Sequence, residues 1–151
     1  MADEAKREAG RMLRALAPYA ERGVPIVGLE PSCLLSLRDE FTALLPGTET
    51  VAKNAWLFEE FLAQRAGKLE LPEMKRKVLL HGHCHQKAFA AMPAVEKVLG
   101  DGARPEACRR CETSCCGMAG SFGYEAEHYE VSMRMGELAL LPEVRKAPAM
   151  R

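Results

Sequence analysis

The sequence predicts an α/β fold, in which a small parallel sheet is flanked by helices and ligand-bearing turns follow the carboxyl ends of the strands. Two observations lead to this class. Short apolar, β-branched runs at 24–29 and 77–80 are typical of strands that are covered on both faces. The segments around them repeat apolar residues every three or four positions, as amphipathic helices do. This alternation favours a parallel sheet whose binding sites gather at the carboxyl ends of its strands.

In the first half of the chain, three helices are predicted around the first strand. Helical spacing runs over about residues 2–21, which precede the strand at 24–29, and resumes over 34–44 and 51–62 after it. The residues that end these helices are Gly23, Pro46, Gly47 and Gly67. We therefore expect two helices, and no strand, between the strands at 24–29 and 77–80.

The second strand, 77–80, leads directly into His81–His85, a turn rich in metal-binding side chains. A helix is predicted to begin at Pro93, where a missing backbone donor is tolerated. The segment before Cys111 falls where a third strand is expected, but it is polar and is interpreted as an exposed loop. A last helix is predicted from Tyr124 to Leu138, with an apolar stripe along one face.

Length, charge and composition limit the classes of function. The chain has 151 residues, of which 48% are hydrophobic, as suits one soluble domain. Its 21 basic side chains balance 21 acidic ones, so no basic field for nucleic acid is expected. The acidic amino terminus lacks the features of a secretory signal, and no apolar run reaches the ~20 residues of a membrane span. A cytoplasmic location is expected, where clustered cysteines bind metal more often than they form disulfides.

The distribution of cysteines is the main functional signal. Cys84 lies within the histidine-rich turn, and four more follow within a short segment, namely Cys108, Cys111, Cys115 and Cys116. Thiolates are soft anionic donors that suit both zinc and iron–sulfur clusters. Adjacent side chains such as Cys115 and Cys116 diverge and do not easily reach one zinc ion, whereas a larger cluster offers two irons. The vicinal pair therefore favours an iron–sulfur cluster.

Other residues near these cysteines are candidates for supporting roles. His81, His83 and His85 carry metal-ligating imidazole rings, and hydrogen bonding to the site is expected of some of them. Gly117 permits a positive backbone dihedral angle in the cysteine turn, and with Gly120 it precedes a predicted helix whose amides suit an anion. The arginines between Cys108 and Cys111 are expected to lower the pKa values of these two thiols.

Three segments together resemble one family. They are Glu30–Cys33, the run from His81 to Ala88, and the run from Cys115 to Glu125. The chain resembles the cysteine-rich CCG domain at the carboxyl end of FAD-linked oxidases similar to those acting on D-lactate, glycolate or D-2-hydroxyglutarate. Similar domains occur in iron–sulfur subunits of glycolate oxidase and anaerobic glycerol-3-phosphate dehydrogenase, and in one of the subunits of heterodisulfide reductase. The resemblance covers about residues 2–145 and implies a single CCG-type domain over 1–151, as a fragment of a longer protein.

The resemblance also implies a function. The chain is expected to be an iron–sulfur electron-transfer module, with a cluster of the 4Fe–4S type, and to have no catalytic residue of its own. FAD would be bound by a separate dehydrogenase domain or subunit. That partner and a ferredoxin-like domain would link the module to a membrane electron acceptor. By position in the family motifs, the implied ligands are Cys33, Cys84, Cys115 and Cys116, with Glu30, Cys108 and Cys111 as further candidates. Gly117, Gly120, His81 and His83 would shape and tune the site.

Two alternatives remain open from the residues. A zinc-binding structural or interaction module would use Cys108, Cys111 and Cys115 with either Cys84 or His83. A truncated relic of such a module would hold no metal. Anaerobically purified protein separates these alternatives, since an iron–sulfur protein is brown and a zinc protein is colourless.

Overall fold

The computed structural model describes residues 2–65, 77–102 and 108–147. It confirms the α/β class, with parallel strands flanked by helices. Two compact units divide the chain, Met1–Arg65 and Ala66–Arg151. Each unit contains one two-stranded parallel sheet. The strands are thus divided between two sheets. Over the described ranges, no helix has the length and apolar character required to cross a membrane.

The first unit contains a long helix and a small sheet with short helices. The elements in chain order are α1 (Ala2–Ala20), β1 (Ile26–Gly28), α2 (Pro31–Leu35), α3 (Glu40–Leu44), α4 (Glu49–Asn54), β2 (Ala55–Leu57) and α5 (Phe58–Ala63). As predicted, α1 ends before Gly23, whose φ of +72° is accessible to glycine. The predicted helix end at Gly67 lies outside the described residues.

The core of the first unit lies around β2 and α2. Leu34, Leu35, Val51 and Leu57 are buried there. Gly28 ends β1, and a Cβ atom at this position would lie 2.8 Å from Leu34 Cδ1. Glycine therefore allows α2 to pack closely against the strand. This packing places the turn before α2 directly at the carboxyl end of β1.

The strand β2 corrects the predicted helix over 51–62. Ala55–Leu57 pairs in parallel with Ile26–Gly28, and Ala55 and Leu57 are buried while Trp56 between them is half-buried. A short apolar run fits a buried strand as well as a helix, so spacing alone did not separate the two. The pairing with β1 shows that this segment is a strand, and the helices α4 and α5 flank it in the sequence.

The second unit contains the other sheet and the remaining helices. Its elements are β3 (Val78–Leu80), α6 (Cys84–Ala88), α7 (Met92–Gly102), β4 (Cys108–Arg110), α8 (Tyr129–Glu137) and α9 (Leu140–Lys146). Two short 3-10 helices, Phe122–Tyr124 and Ala126–His128, precede α8. Pro93 is the second residue of α7, as predicted for a helix start.

Two predictions in this unit are wrong. The segment at Cys108 is a strand rather than a loop, because Cys108–Arg110 pairs in parallel with Val78–Leu80. The helix predicted from Tyr124 begins only at Tyr129, and its predicted apolar stripe is not the buried face. Tyr124 and Leu138 are 82% and 77% exposed, whereas the small residues Ser132 and Gly136 are buried. Gly136 allows close packing here, since a Cβ atom at this position would lie 3.3 Å from the Cys116 backbone oxygen and 3.2 Å from Leu141 Cδ1.

Candidate metal centre

Cys84 lies where the second sheet ends and a helix begins. After β3, residues 81–83 form a short turn, and Cys84 is the first residue of α6. His83 caps this helix: its backbone N–H donates to Gln86 Oε1 (3.1 Å), and its Nδ1 accepts from the backbone N–H of His85 (3.2 Å). The buried Gln86 and its bond to His83 therefore fix the turn that carries Cys84.

The other cysteines follow the neighbouring strand. The Cys111 N–H donates to the Leu80 carbonyl (2.8 Å) and so extends the pairing between the strands beyond β4. Two residues later, Thr113 Oγ1 lies 2.6 Å from His81 Nδ1. The turn after β3 is thereby joined to the segment that leads into Cys115 and Cys116. Thr113 was not predicted to take part, since an isolated threonine carries no signal in the sequence.

The structure brings together three of the predicted ligands, Cys84, Cys115 and Cys116, which we call the thiol triad. Burial is the main cause that raises the pKa of Cys84, followed by the charge and side-chain hydrogen bond of Cys115 and the charge of Cys116. Cys84 is exposed and the other two thiols are half-buried. The raised pKa favours the neutral thiol of Cys84 in the metal-free chain, and a bound cation would favour its thiolate.

Gly117 closes the cysteine turn against α8. Its φ is +89°, and a Cβ atom at this position would lie 2.3 Å from the backbone oxygen of Ser132. The Gly117 N–H donates to Cys115 Sγ (3.4 Å), a type of bond that stabilises a thiolate. Gly120 also has a positive φ, +65°, but a Cβ atom there would meet no neighbour within 4 Å. Both close packing and the positive φ angle therefore require glycine at position 117, whereas only the φ angle favours it at position 120.

The three histidines near the thiols have different surroundings. The helix α6 begins between His83 and His85, and their rings stack with centroids 5.4 Å apart. His81 faces Thr113 instead. Burial, followed by the positive charge of Lys87, lowers the pKa of His81, which favours the neutral imidazole. A hydrogen-bonding role for His81 fits this geometry.

Cys108 and Cys111 are held by the second sheet. Cys111 is 1% exposed. The pKa of Cys108 is raised by burial and by Glu96, so the expected lowering by the arginines is wrong for this thiol. Both arginines are instead paired with carboxylates: Arg109 with Glu143 and Arg110 with Glu96, each at 3.0 Å. The groups that act on the Cys84 thiol in the described ranges do not include this pair of cysteines.

In the first unit, Glu30 and Cys33 lie at the carboxyl end of β1. The Glu30 carboxylate caps α2 by accepting from the Cys33 N–H (2.6 Å). Desolvation, the largest effect, raises the pKa of Glu30, but hydrogen bonds from Cys33 and Ser32 together outweigh it and bring the pKa to about 2. The hydrogen bond to Glu30 and its negative charge raise the pKa of Cys33. A carboxylate and an exposed thiol are thus adjacent in this turn.

The donor set fits an iron–sulfur group in part. Three thiols of the second unit meet at the carboxyl end of a parallel sheet, and soft thiolates are the ligands that such groups prefer. Over residues 2–65, 77–102 and 108–147, however, no three His, Cys, Asp or Glu side chains are arranged so that they could hold a metal ion.

The chain is similar to segments of two kinds of dehydrogenase. It is 30% identical over 149 residues to D-2-hydroxyglutarate dehydrogenase of Pantoea ananatis (strain AJ13355), and the match covers 96% of this chain and 14% of that protein. The match to D-2-hydroxyglutarate dehydrogenase of Escherichia coli (strain K12) is 31% identical over 136 residues, or 87% of this chain and 13% of that one. The chain thus spans about one seventh of the length of these relatives.

The second kind is a subunit of the anaerobic glycerol-3-phosphate dehydrogenase of Escherichia coli (strain K12). That protein is 23% identical over 131 residues, and the match covers 76% of this chain and 30% of the subunit. No protein-family model and no solved structure matches the chain.

Proposed function

We propose that this chain is an iron–sulfur electron-transfer module of an FAD-linked oxidoreductase that acts on a 2-hydroxy acid. The observation that carries this proposal is the thiol triad, in which Cys84 meets Cys115 and Cys116 beyond the carboxyl ends of β3 and β4. The similar proteins, D-2-hydroxyglutarate dehydrogenase and the anaerobic glycerol-3-phosphate dehydrogenase subunit, are dehydrogenases by name and support an oxidoreductase.

The proposed protein ligands are the thiol triad together with Cys33, and Glu30 is a further oxygen donor. When bound, a cluster of the 4Fe–4S type supplies one-electron transfer. The surrounding residues hold the donors in place. The Gly117 amide directs a hydrogen bond at Cys115 Sγ, and His81 anchors the cysteine segment through Thr113. With a pKa of about 2, Glu30 is ionised at neutral pH and is ready to act as a ligand.

The substrate chemistry belongs to another part of the assembly in this proposal. Hydride would leave a 2-hydroxy acid, such as D-lactate, glycolate or D-2-hydroxyglutarate, at FAD on a separate domain or subunit. Electrons would then pass through this module, with a ferredoxin-like domain as a further partner, in the cytoplasm. These partners would connect it to a membrane acceptor. The similarity to segments of much longer dehydrogenases supports such a division of labour.

Anaerobic reconstitution with iron and sulfide tests the proposal. Wild-type protein should become brown, with broad visible absorption and both iron and sulfide bound. The Cys115→Ser, Cys116→Ser double variant should lose most of the iron, whereas the control Cys108→Ala, Cys111→Ala double variant, which adds no hydroxyl at the buried Cys111, should retain it. Equal iron and sulfide in the wild type and the Cys115/Cys116 variant would overturn the ligand assignment.

The same protein preparations test the zinc alternative. A colourless protein with one zinc ion per chain, lost in the Cys108/Cys111 variant, would replace the cluster proposal with a zinc-binding structural or interaction module. A Cys33→Ser variant tests the contribution of the first unit separately. Loss of iron in this variant would identify Cys33 as a ligand, and full retention would remove it from the set.

A further inference from the structure

Lys87 connects the helix that carries Cys84 with the segment that carries the other two thiols. It lies three residues after Cys84 on α6. Its Nζ donates to the Thr113 carbonyl (2.6 Å) and approaches the Ser114 carbonyl (3.4 Å). These carbonyls immediately precede Cys115 in the sequence. The ammonium group therefore holds the backbone at the point where the vicinal cysteines begin.

The path of the Lys87 side chain depends on Gly82. A Cβ atom at residue 82 would lie 3.2 Å from Lys87 Cε and 2.3 Å from Met92 Sδ. Any larger residue would therefore push against both side chains. Glycine at this position lets the lysine stem lie across the turn after β3. Gly82, to which the sequence assigned no role of its own, is thus part of the same arrangement.

The charge of Lys87 also acts on the site. It opposes the effects that raise the pKa of Cys84, and it contributes to the lowered pKa of His81. An ammonium group near Cys84 is the expected counter-charge for a thiolate at this position. Its compact shape and three donors allow it to bind two carbonyl oxygens while it stays close to Cys84.

We propose that Lys87 is a positioning residue that fixes Cys115 beside Cys84 by hydrogen bonding to the Thr113 and Ser114 carbonyls. This inference deepens the proposed function, because it names the residue that assembles the thiol triad before any metal is bound. This inference concerns the metal-free chain, so it can be tested independently of the proposed function. If the thiol arrangement depends on Lys87 but the chain binds no iron, this inference holds and the proposed iron–sulfur function is wrong.

Thiol bridging by dibromobimane tests the inference, since this reagent becomes strongly fluorescent when both of its arms have reacted with thiols. The assay uses reduced, metal-free protein with Cys116→Ser, so that the vicinal pair cannot bridge, and mass spectrometry maps the bridge to Cys84 and Cys115. We expect Lys87→Met, which keeps the length of the stem but removes the charged donor, to slow bridging by about tenfold. Lys87→Arg should stay within about threefold of the parent, because it keeps charge and donors.

A matched control separates this effect from a general loss of lysine charge. Lys146→Met removes an exposed lysine of the same unit that pairs with Glu143, and it should bridge at the parent rate. Bridging of folded Lys87→Met at the parent rate would overturn the inference. The inference would also be overturned if Lys87→Arg is folded by circular dichroism but its bridging is slower by tenfold or more. If Lys87→Met does not fold, the bridging rate of Lys87→Arg decides the test.

Discussion

Cys84 and Cys115 lie close enough that, after burial, Cys115 is the main cause that raises the pKa of the Cys84 thiol, although the two residues lie on different elements of the second unit. Cys84 opens α6 after β3, and Cys115 follows β4. The two strands run in the same direction with Leu80 opposite Arg110, so the segments that leave them start side by side. Parallel pairing thus brings these segments together, and both the contact between His81 and Thr113 and the hydrogen bond from Lys87 to the Thr113 carbonyl join them further.

The two glycines after the vicinal cysteines should respond differently to alanine. Gly117→Ala introduces a Cβ atom 2.3 Å from the Ser132 backbone oxygen, in addition to a disfavoured positive φ. We expect it to lower the free energy of unfolding by at least about 3 kcal/mol. Gly120→Ala meets only the conformational cost of about 1–2 kcal/mol, because its surroundings are open. Urea denaturation of the two variants measures the difference, and equal losses would contradict the proposed close contact with α8.

The Arg38–Glu60 pair should be a major stabilising contact of the first unit. The Arg38 guanidinium donates to both oxygens of Glu60 and to the Ala55 carbonyl, and Glu60 also accepts from the Leu57 N–H. The pair therefore ties the segment after α2 to both ends of β2. Glu60→Gln should lower the free energy of unfolding by about 2 kcal/mol in chemical denaturation. Glu59→Gln, which changes the neighbouring glutamate on α5, is the control and should change it little.

The contribution of this pair should depend on pH. Burial raises the pKa of Glu60, but the bonds from Arg38 and Leu57 outweigh this effect, so the net pKa is lowered in the folded state. A lowered pKa contributes stability that is present above the unfolded-state pKa of about 4.3 and is lost as pH falls through the folded-state pKa. The difference in stability between wild type and Glu60→Gln should therefore be constant near neutral pH and shrink in acid. A difference that grows towards low pH would show the opposite linkage.

Cys111 should tolerate alanine better than serine. Its side chain is 1% exposed, and the Ser hydroxyl would have to find a new partner in this environment. We expect Cys111→Ser to cost about 1–3 kcal/mol of unfolding free energy, more than Cys111→Ala. Cys33→Ser, at an exposed thiol, should cost little and serves as the comparison. A thermal or urea unfolding series measures all three, and a serine variant as stable as the alanine variant would contradict the packed role of Cys111.

Removal of the Glu30 charge should make Cys33 more reactive. The hydrogen bond and negative charge of Glu30 raise the pKa of the Cys33 thiol, so Glu30→Gln should bring this pKa closer to its ordinary value. Alkylation of Cys33 by iodoacetamide, followed by peptide mass spectrometry over a pH series, reports the shift. The midpoint of the reaction profile should move to lower pH in the variant. An unchanged midpoint would show that Glu30 does not act on this thiol.

The sequence predicted the parts of the site that depend on residue type and strand ends. Alternating strands and helices placed Cys84 after a strand, and the vicinal cysteines indicated a shared donor set. The structure brings Cys84 near Cys115 and Cys116, and their role as shared ligands stays a prediction. The proposed convergence with Cys33 is a separate matter, because Cys33 lies in the first unit and its contribution stays a prediction. The single CCG-type domain over 1–151 likewise stays a prediction.

The features that sequence reasoning missed depend on distant partners. The polar strand β4 looked like a loop because Arg109 and Arg110 are charged, yet both find carboxylates on helices α9 and α7. The sequence of β2 also fits a helical pattern, and only its parallel pairing with β1 identifies it as a strand. Lys87 gave no signal because its partners are backbone carbonyls, which every residue carries. Residue type thus indicates which side chains can act as ligands or hydrogen-bond donors, whereas contacts between segments that are distant in the sequence determine their positions.

The order of the second unit along the chain has a consequence for biosynthesis. The thiol of Cys84 emerges from the ribosome well before Cys115 and Cys116, and the three donors come together only once β4 lies beside β3. A nascent chain that ends before this strand offers a single accessible thiol of the triad to its surroundings. The arrangement of these thiols is therefore complete only after translation of the glycine turn and of α8, against which Gly117 packs.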